Sequence, residues 1–379
     1  MSATPGIPAL RGGEEVKLCG MPAQAAGFAL VGAAVLDGSG GPPLPDHTVV
    51  VRDEQVHAIG PSVRVRPGPD VRVIPAEGLT VLPGFVDAHV HLDFHDPAEV
   101  LRGGVTTVRD LGWPAGRLAA LARVATEEVA RSPRLLTAGQ IVTVPGGYPT
   151  RAAWAPAGTA WPVTGPEEAA RAVEELAGAG AAVVKVALDG RVGPTLPEAT
   201  LAAVVTAAGR RGLAVTAHVG GEAEVEKALA AGVAELAHWP FTARPLPAAL
   251  VDRLAGAVTV VPTLHIEPSR ARRQGLARFV AAGGRVVYGT DLGNQGPPPG
   301  VDVEELRLLV EAGLDPGQAL AAATSAAAAH LGLDGAGRIV PGARADLLLV
   351  EGDPLADLAA LERVRLVARD GHLAANSRR

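Results

Sequence analysis

Gly84-Phe85-Val86-Asp87-Ala88-His89-Val90-His91 is an apolar run that ends in His-x-His. Alternate residues of a strand share one face. His89 and His91 would therefore stand side by side and could grip one metal ion through neutral ring nitrogens. Alone, such a pair fits a surface or core coincidence as well as a ligand pair, so its meaning depends on the ends of later strands.

Seven further apolar runs follow, separated by Ala/Leu/Glu/Arg stretches of helical character: 104–111, 134–142, 182–188, 213–219, 233–239, 258–264 and 285–290. Strand and helix patterns that alternate in this way mark βα units and a parallel sheet. Eight of them match a (β/α)8 TIM barrel, whose active site lies at the C-terminal ends of the strands. A last helix is expected over 315–333, with Asp315 as N-cap and Pro316 in its first turn. His330 near its end reads as a helix C-terminal charge or packing residue.

On either side of these units the pattern changes. Residues 26–80 hold short β segments punctuated by Gly, Pro and Asp, too few for a sheet with its own core. Residues 337–354 and 364–374 have the same character. The expected organisation is a tail over 1–24, a β-sandwich built from 25–80 and 336–379, and a barrel over 81–335.

Metal-binding residue types recur at the ends of the barrel runs: His89 and His91 on the first, Lys185 on the fourth, His218 on the fifth, His238 on the sixth and Asp291 on the eighth. Ten histidines scattered over 379 residues would not collect there by chance.

The motifs PGFVDAHVHL (83–92), GGVTTVRDLG (103–112), VVKVALDG (183–190), TAHVGG (216–221), GVAELAHW (232–239), VVPTL (260–264), YGTD (288–291), QALAAATSAAAAHLGL (318–333) and GRIVPGARADLLLVEGDP (337–354) stand in one order. In them the chain resembles the amidohydrolase superfamily, in its binuclear branch of imidazolonepropionase-like, dipeptidase and ochratoxinase-like hydrolases. The resemblance implies two divalent metal ions, zinc being the expected element. His89, His91 and Asp291 would hold the buried ion, His218 and His238 the more exposed one, and Lys185 would bridge both as a CO2-derived carbamate. A lysine beside a dicationic site has a lowered pKa, and its neutral amine can take up CO2. A structural lysine paired with Asp189 or Asp110 is the other reading of Lys185.

Two such cations lower the pKa of a shared water toward neutrality, so hydrolysis by a metal-bridging hydroxide is the implied reaction, with Asp291 carrying the proton to the leaving group. Amide-type C–N bonds lead the candidate substrates: N-acyl amino acids, dipeptides or cyclic amides. A mononuclear deaminase or imidazolone-type ring hydrolase is the alternative, and a lactonase or phosphotriesterase could use the same metals. Deaminase relatives usually carry Glu where Gly221 stands here, and Lys185 has no task in a mononuclear site. A non-catalytic scaffold is disfavoured because no expected ligand is missing.

Aromatic residues make up 3% of the chain, so their positions carry information. Trp113, Trp154, Trp161 and Trp239, with Phe94, Tyr148 and Phe241, follow strand runs where a barrel enzyme has its pocket mouth. An apolar or aromatic substrate part is expected there, although bulky loop residues also cover barrel rims. In the loop 142–151, Gly146 and Gly147 permit close backbone approach and bring Tyr148 over the site, its hydroxyl a candidate oxyanion donor. Arg151 and Arg191 could meet a substrate carboxylate or simply face solvent. His265, immediately past the seventh run, is a catalytic candidate that could equally be pocket wall or surface.

Composition sets the remaining bounds. A net charge of −6, evenly spread, gives no footprint for nucleic acid or an anionic membrane, and a small-molecule substrate is the default partner. No stretch approaches the roughly 20 apolar residues of a membrane span. The one cysteine, Cys19, excludes an intrachain disulfide and suits a reducing compartment, so a cytoplasmic location is expected. A homo-oligomer is the expected assembly.

Overall fold

The computed structural model describes residues 27–375. The tail expected over 1–24 and Cys19 lie outside them. All eight apolar runs contain strands: Phe85–Val90, Val105–Asp110, Arg134–Thr137, Val184–Leu188, Val215–Val219, Glu235–Leu236, Thr259–Val260 and Arg285–Val286. Every pairing among them is parallel. The last three are only two residues long.

Backbone hydrogen bonds continue between the first three strands and the rest. Ala182 N donates to Thr137 O at 2.8 Å, joining the third run to the fourth. At the other seam Ala88 N donates to Tyr288 O at 3.1 Å, Asp291 N to His89 O at 2.7 Å and His91 N to Leu292 O at 2.7 Å, so the eighth run meets the first. Gly289 makes this approach possible: a Cβ there would lie 3.0 Å from His89 N and 2.3 Å from a Val261 methyl.

Helices sit between the strands and bury one stripe each. Pro166–Gly178, for example, buries Ala169, Ala172, Val173 and Leu176, spaced i, i+3, i+4 and i+7. Asp315 caps Pro316–Ala322 in a capping box with Gln318, but the single helix expected over 315–333 breaks. Thr324, at φ −130° and ψ −95°, separates it from Ser325–His330.

Both ends of the described chain meet in one eight-stranded sheet, with Leu347–Glu351 antiparallel to Leu79–Pro83. The expected two-layer β-sandwich is thus, in its hydrogen bonding, a single sheet. Two of its hairpins turn on residue pairs with positive φ, Asp53-Glu54 and Asp370-Gly371, as the tight turn that matches strand twist requires. Phe28, Leu30, Val49, Val81, Ile339 and Leu347 form its main apolar core.

Candidate metal centre

Strand alternation places His89 and His91 on one face of the first strand, and their ring centroids lie 5.6 Å apart. His238 approaches His89 at 4.6 Å and His218 at 4.9 Å. His89, His238 and Asp291 each offer a ligand atom, all within 4.8 Å of one another. The six residues singled out as ligands from sequence are buried and line one pocket of about 230 Å³.

Hydrogen bonding fixes which imidazole nitrogen is free. His89 Nδ1 lies 2.8 Å from Ala237 O and His91 Nδ1 3.3 Å from Gly112 O. A carbonyl only accepts, so each Nδ1 carries the proton and each Nε2 keeps its lone pair. Those lone pairs face Asp291 Oδ1 at 3.3 and 3.4 Å, and this oxygen has no hydrogen-bond partner among the described residues. Three acceptor atoms converging in a buried place are mutually repulsive until a cation lies among them. Lys185 Nζ, 3% exposed as a residue, has no partner among those residues either. Donor set and orphaned atoms together fit divalent metal ions.

Electrostatics agree with this. Burial, reinforced by the Lys185 charge, drives His91 down to about 3 and His89 well below the ordinary histidine value. Burial lowers His218 and His238 as well, which favours the neutral imidazole that metal binding requires. Burial lowers Lys185 to about 7 and raises Asp291 to about 7.

Lys185 pairs with neither Asp189 nor Asp110. Asp110 accepts from the Leu92 and Gly112 backbone amides. Asp189 accepts from Arg191, Nε to Oδ1 at 2.9 Å and Nη2 to Oδ2 at 2.7 Å, and lies 3.2 Å from His218 Nε2. Burial works to raise Asp189, but these hydrogen bonds outweigh it and hold the carboxylate well below the usual range.

Tyr148, Trp154, Phe94 and Phe241 wall the pocket, with Glu267 and Asn294 as polar neighbours that the sequence did not single out. The Tyr148 ring stacks on His218 at 4.7 Å, and its oxygen accepts from Trp154 Nε1 at 3.0 Å. Trp154 in turn packs against His91 at 4.9 Å.

Other candidates fall elsewhere. Trp239 is fully buried against Phe279 and Gly275, away from the pocket. Trp113 is buried behind His91 and Phe94 rather than exposed to a substrate. Arg191 is held by Asp189 and also donates to Phe241 O at 3.0 Å. Arg151 is exposed and outside the pocket lining. His265 is outside it as well, because Asp302 Oδ2 holds its Nδ1 at 2.7 Å while the next two residues, Ile266 and Glu267, reach the wall. Trp161 packs against the main core. His330 reaches Glu235 Oε2 at 2.5 Å, a buried partner its helix-end position did not suggest.

Ochratoxinase of Aspergillus niger is 24% identical to this chain, over 89% of it and 84% of the relative. Among solved structures, a Bifidobacterium longum protein described as a prolidase superposes with a TM-score of 0.81 at 28% identity, covering 94% of this chain and 97% of its own. A Xaa-Pro dipeptidase with methionine bound in its active site gives a TM-score of 0.81 at 24% identity, over 92% of this chain and all of that one. The amidohydrolase family profile matches residues 80–374, a span that contains every side chain of the candidate site. By that match this chain is a hydrolase that belongs to the amidohydrolase family.

Proposed function

We propose that the protein hydrolyses an amide-type C–N bond in a small substrate with an apolar or aromatic part, using two divalent metal ions, zinc by expectation. His89, His91 and Asp291 would hold one, His218 and His238 the other, and carboxylated Lys185 both. The observation that carries this reading is the convergence of His89 Nε2, His91 Nε2 and the orphaned Asp291 Oδ1. When bound, such ions supply an activated water and polarise the scissile carbonyl.

The chain's own groups supply the rest. Burial favours the neutral amine of Lys185, which attacks CO2: an N–C bond forms, a proton leaves to water, and a carbamate replaces the ammonium. Asp291, beside the place where that water would sit, would take a proton from the attacking water and return it to the leaving nitrogen. Burial keeps the Tyr148 phenol protonated. Because its oxygen already accepts from Trp154, its hydrogen is free to donate to the developing oxyanion.

Substrate charge follows from the walls. Neither arginine nominated for a carboxylate is free in the pocket, and Glu267 adds a negative charge to its lining. This supports carboxylate-free aromatic or cyclic amides over dipeptides and N-acyl amino acids. The same reading takes residues 81–335 as a closed (β/α)8 barrel, supported by the backbone bonds at both seams.

Metal analysis tests the proposal, with about two equivalents per chain expected and about one favouring a mononuclear hydrolase. The loaded protein is then screened against aryl amides, lactams, lactones, dipeptides and N-acyl amino acids. Turnover of lactones alone would overturn the C–N assignment.

A further inference from the structure

Asp189, at the end of the fourth strand, has no part in the chemistry described so far, yet it is built in from three sides. Gly220 leaves room for it: a Cβ there would lie 2.3 Å from Asp189 Oδ1 and 3.1 Å from its Cα. Arg191 clamps it through the guanidinium and also through its backbone N at 3.1 Å to Oδ1. The third side is His218 Nε2, 3.2 Å from Oδ2. Arg191 in turn is anchored on Phe241, donating to its carbonyl and lying 5.3 Å from its ring, while Phe241 stacks against His218 at 5.7 Å.

A carboxylate clamped by a guanidinium can only accept hydrogen bonds. The nitrogen of His218 that faces it must therefore carry the hydrogen, and a neutral imidazole has only one. His218 is left with its lone pair on Nδ1, opposite to His89 and His91, whose protons sit on Nδ1. We infer that Asp189, held by Arg191, is a positioning residue that fixes the tautomer and ring orientation of His218 and makes Nδ1 its metal-donor atom. This rests on the two-metal reading above. Carboxylates that brace ligand histidines in this way change metal affinity by about 10- to 100-fold.

Asp189→Asn tests it sharply. Arg191 demands an acceptor, so the amide would turn its NH2 toward His218 and favour the other tautomer. Zinc titration of the metal-free protein is expected to show one site weakened about 10- to 100-fold and the other unchanged, with the visible spectrum of the cobalt-loaded protein altered only in the weakened equivalent. The melting temperature of the metal-free variant should match the unmutated chain. Two sites of unmutated affinity would overturn the inference, and so would weakening matched by a lower metal-free melting temperature. Long-range proton–nitrogen correlation spectra of the unmutated chain give a reading that needs no variant: a proton on His218 Nδ1 overturns the assignment. An unmutated chain that binds fewer than two zinc ions fails the two-metal reading itself, and the inference with it, before any variant is made.

Discussion

Asp87 ties the first strand to the eighth through Thr290, its Oδ1 accepting from Thr290 N at 3.1 Å and its Oδ2 from Thr290 Oγ1 at 2.6 Å. Oδ1 also accepts from His89 N at 3.0 Å. One buried carboxylate thus sets the spacing between His89 and Asp291, the neighbour of Thr290. Asp87→Ala would strand three buried donors, each costing about 1–3 kcal/mol. Urea unfolding should show a loss of about 3 kcal/mol or more, and Asp87→Asn, which keeps one accepting oxygen, a smaller one. An alanine variant within about 0.5 kcal/mol of the unmutated chain would refute this role.

Asp291 occupies the left-handed region at φ +57°, which Asn tolerates nearly as well as Asp and other residues at a cost of about 1–2 kcal/mol. Asp291→Asn should therefore keep the fold while turnover drops about 10²- to 10⁴-fold with loss of the proton carrier. Asp291→Ala should also melt lower. If Asn retained more than a tenth of the turnover, Asp291 would not be the group that moves the proton.

The gathering of the six candidates in one pocket was legible because each stands in or next to an apolar run, and the runs became neighbours in the order they occur. What surrounds them was less legible. Trp239 was misplaced because the strand ends at Leu236, and the bend that follows packs its ring against Phe279 instead of over the pocket. Arg191 looked available because nothing local declares which partner a carboxylate will take, and Asp189 is only two residues away. His265 is claimed by Asp302, 37 residues on. The sheet of the chain ends was expected from composition, but its single-sheet hydrogen bonding depends on register between Leu79–Pro83 and Leu347–Glu351, which no local pattern encodes.

Lys185→Ala should remove at least one metal equivalent, measured on protein dialysed against zinc. In the unmutated chain, labelled bicarbonate should give a carbamate carbon signal that the variant lacks. A short carboxylic acid such as propionate could fill the space left by the side chain and restore part of both metal content and turnover. Full metal content and activity in the variant would dismiss the carbamate bridge.

Glu235 is buried and accepts from Arg109 Nη2 at 2.6 Å, Thr216 Oγ1 at 2.5 Å and His330 at 2.5 Å. Burial works to raise its pKa, but Arg109 and His330 outweigh it and hold Glu235 at about 2, against an ordinary 4.5. The unfolded chain therefore binds a proton here at higher pH than the folded one. The stability this group contributes is complete above about pH 5 and is lost as pH falls from 4.5 through 2. Glu235→Gln should cost about 3–5 kcal/mol at neutral pH, because Arg109 would be left buried and unpaired. With chelator present to remove metal effects, urea unfolding of both proteins should show the gap between them shrinking as the solution is acidified, since protonated Glu235 resembles the amide. A gap that stays constant from pH 7 to pH 3 would mean that Glu235 is not ionised in the folded protein.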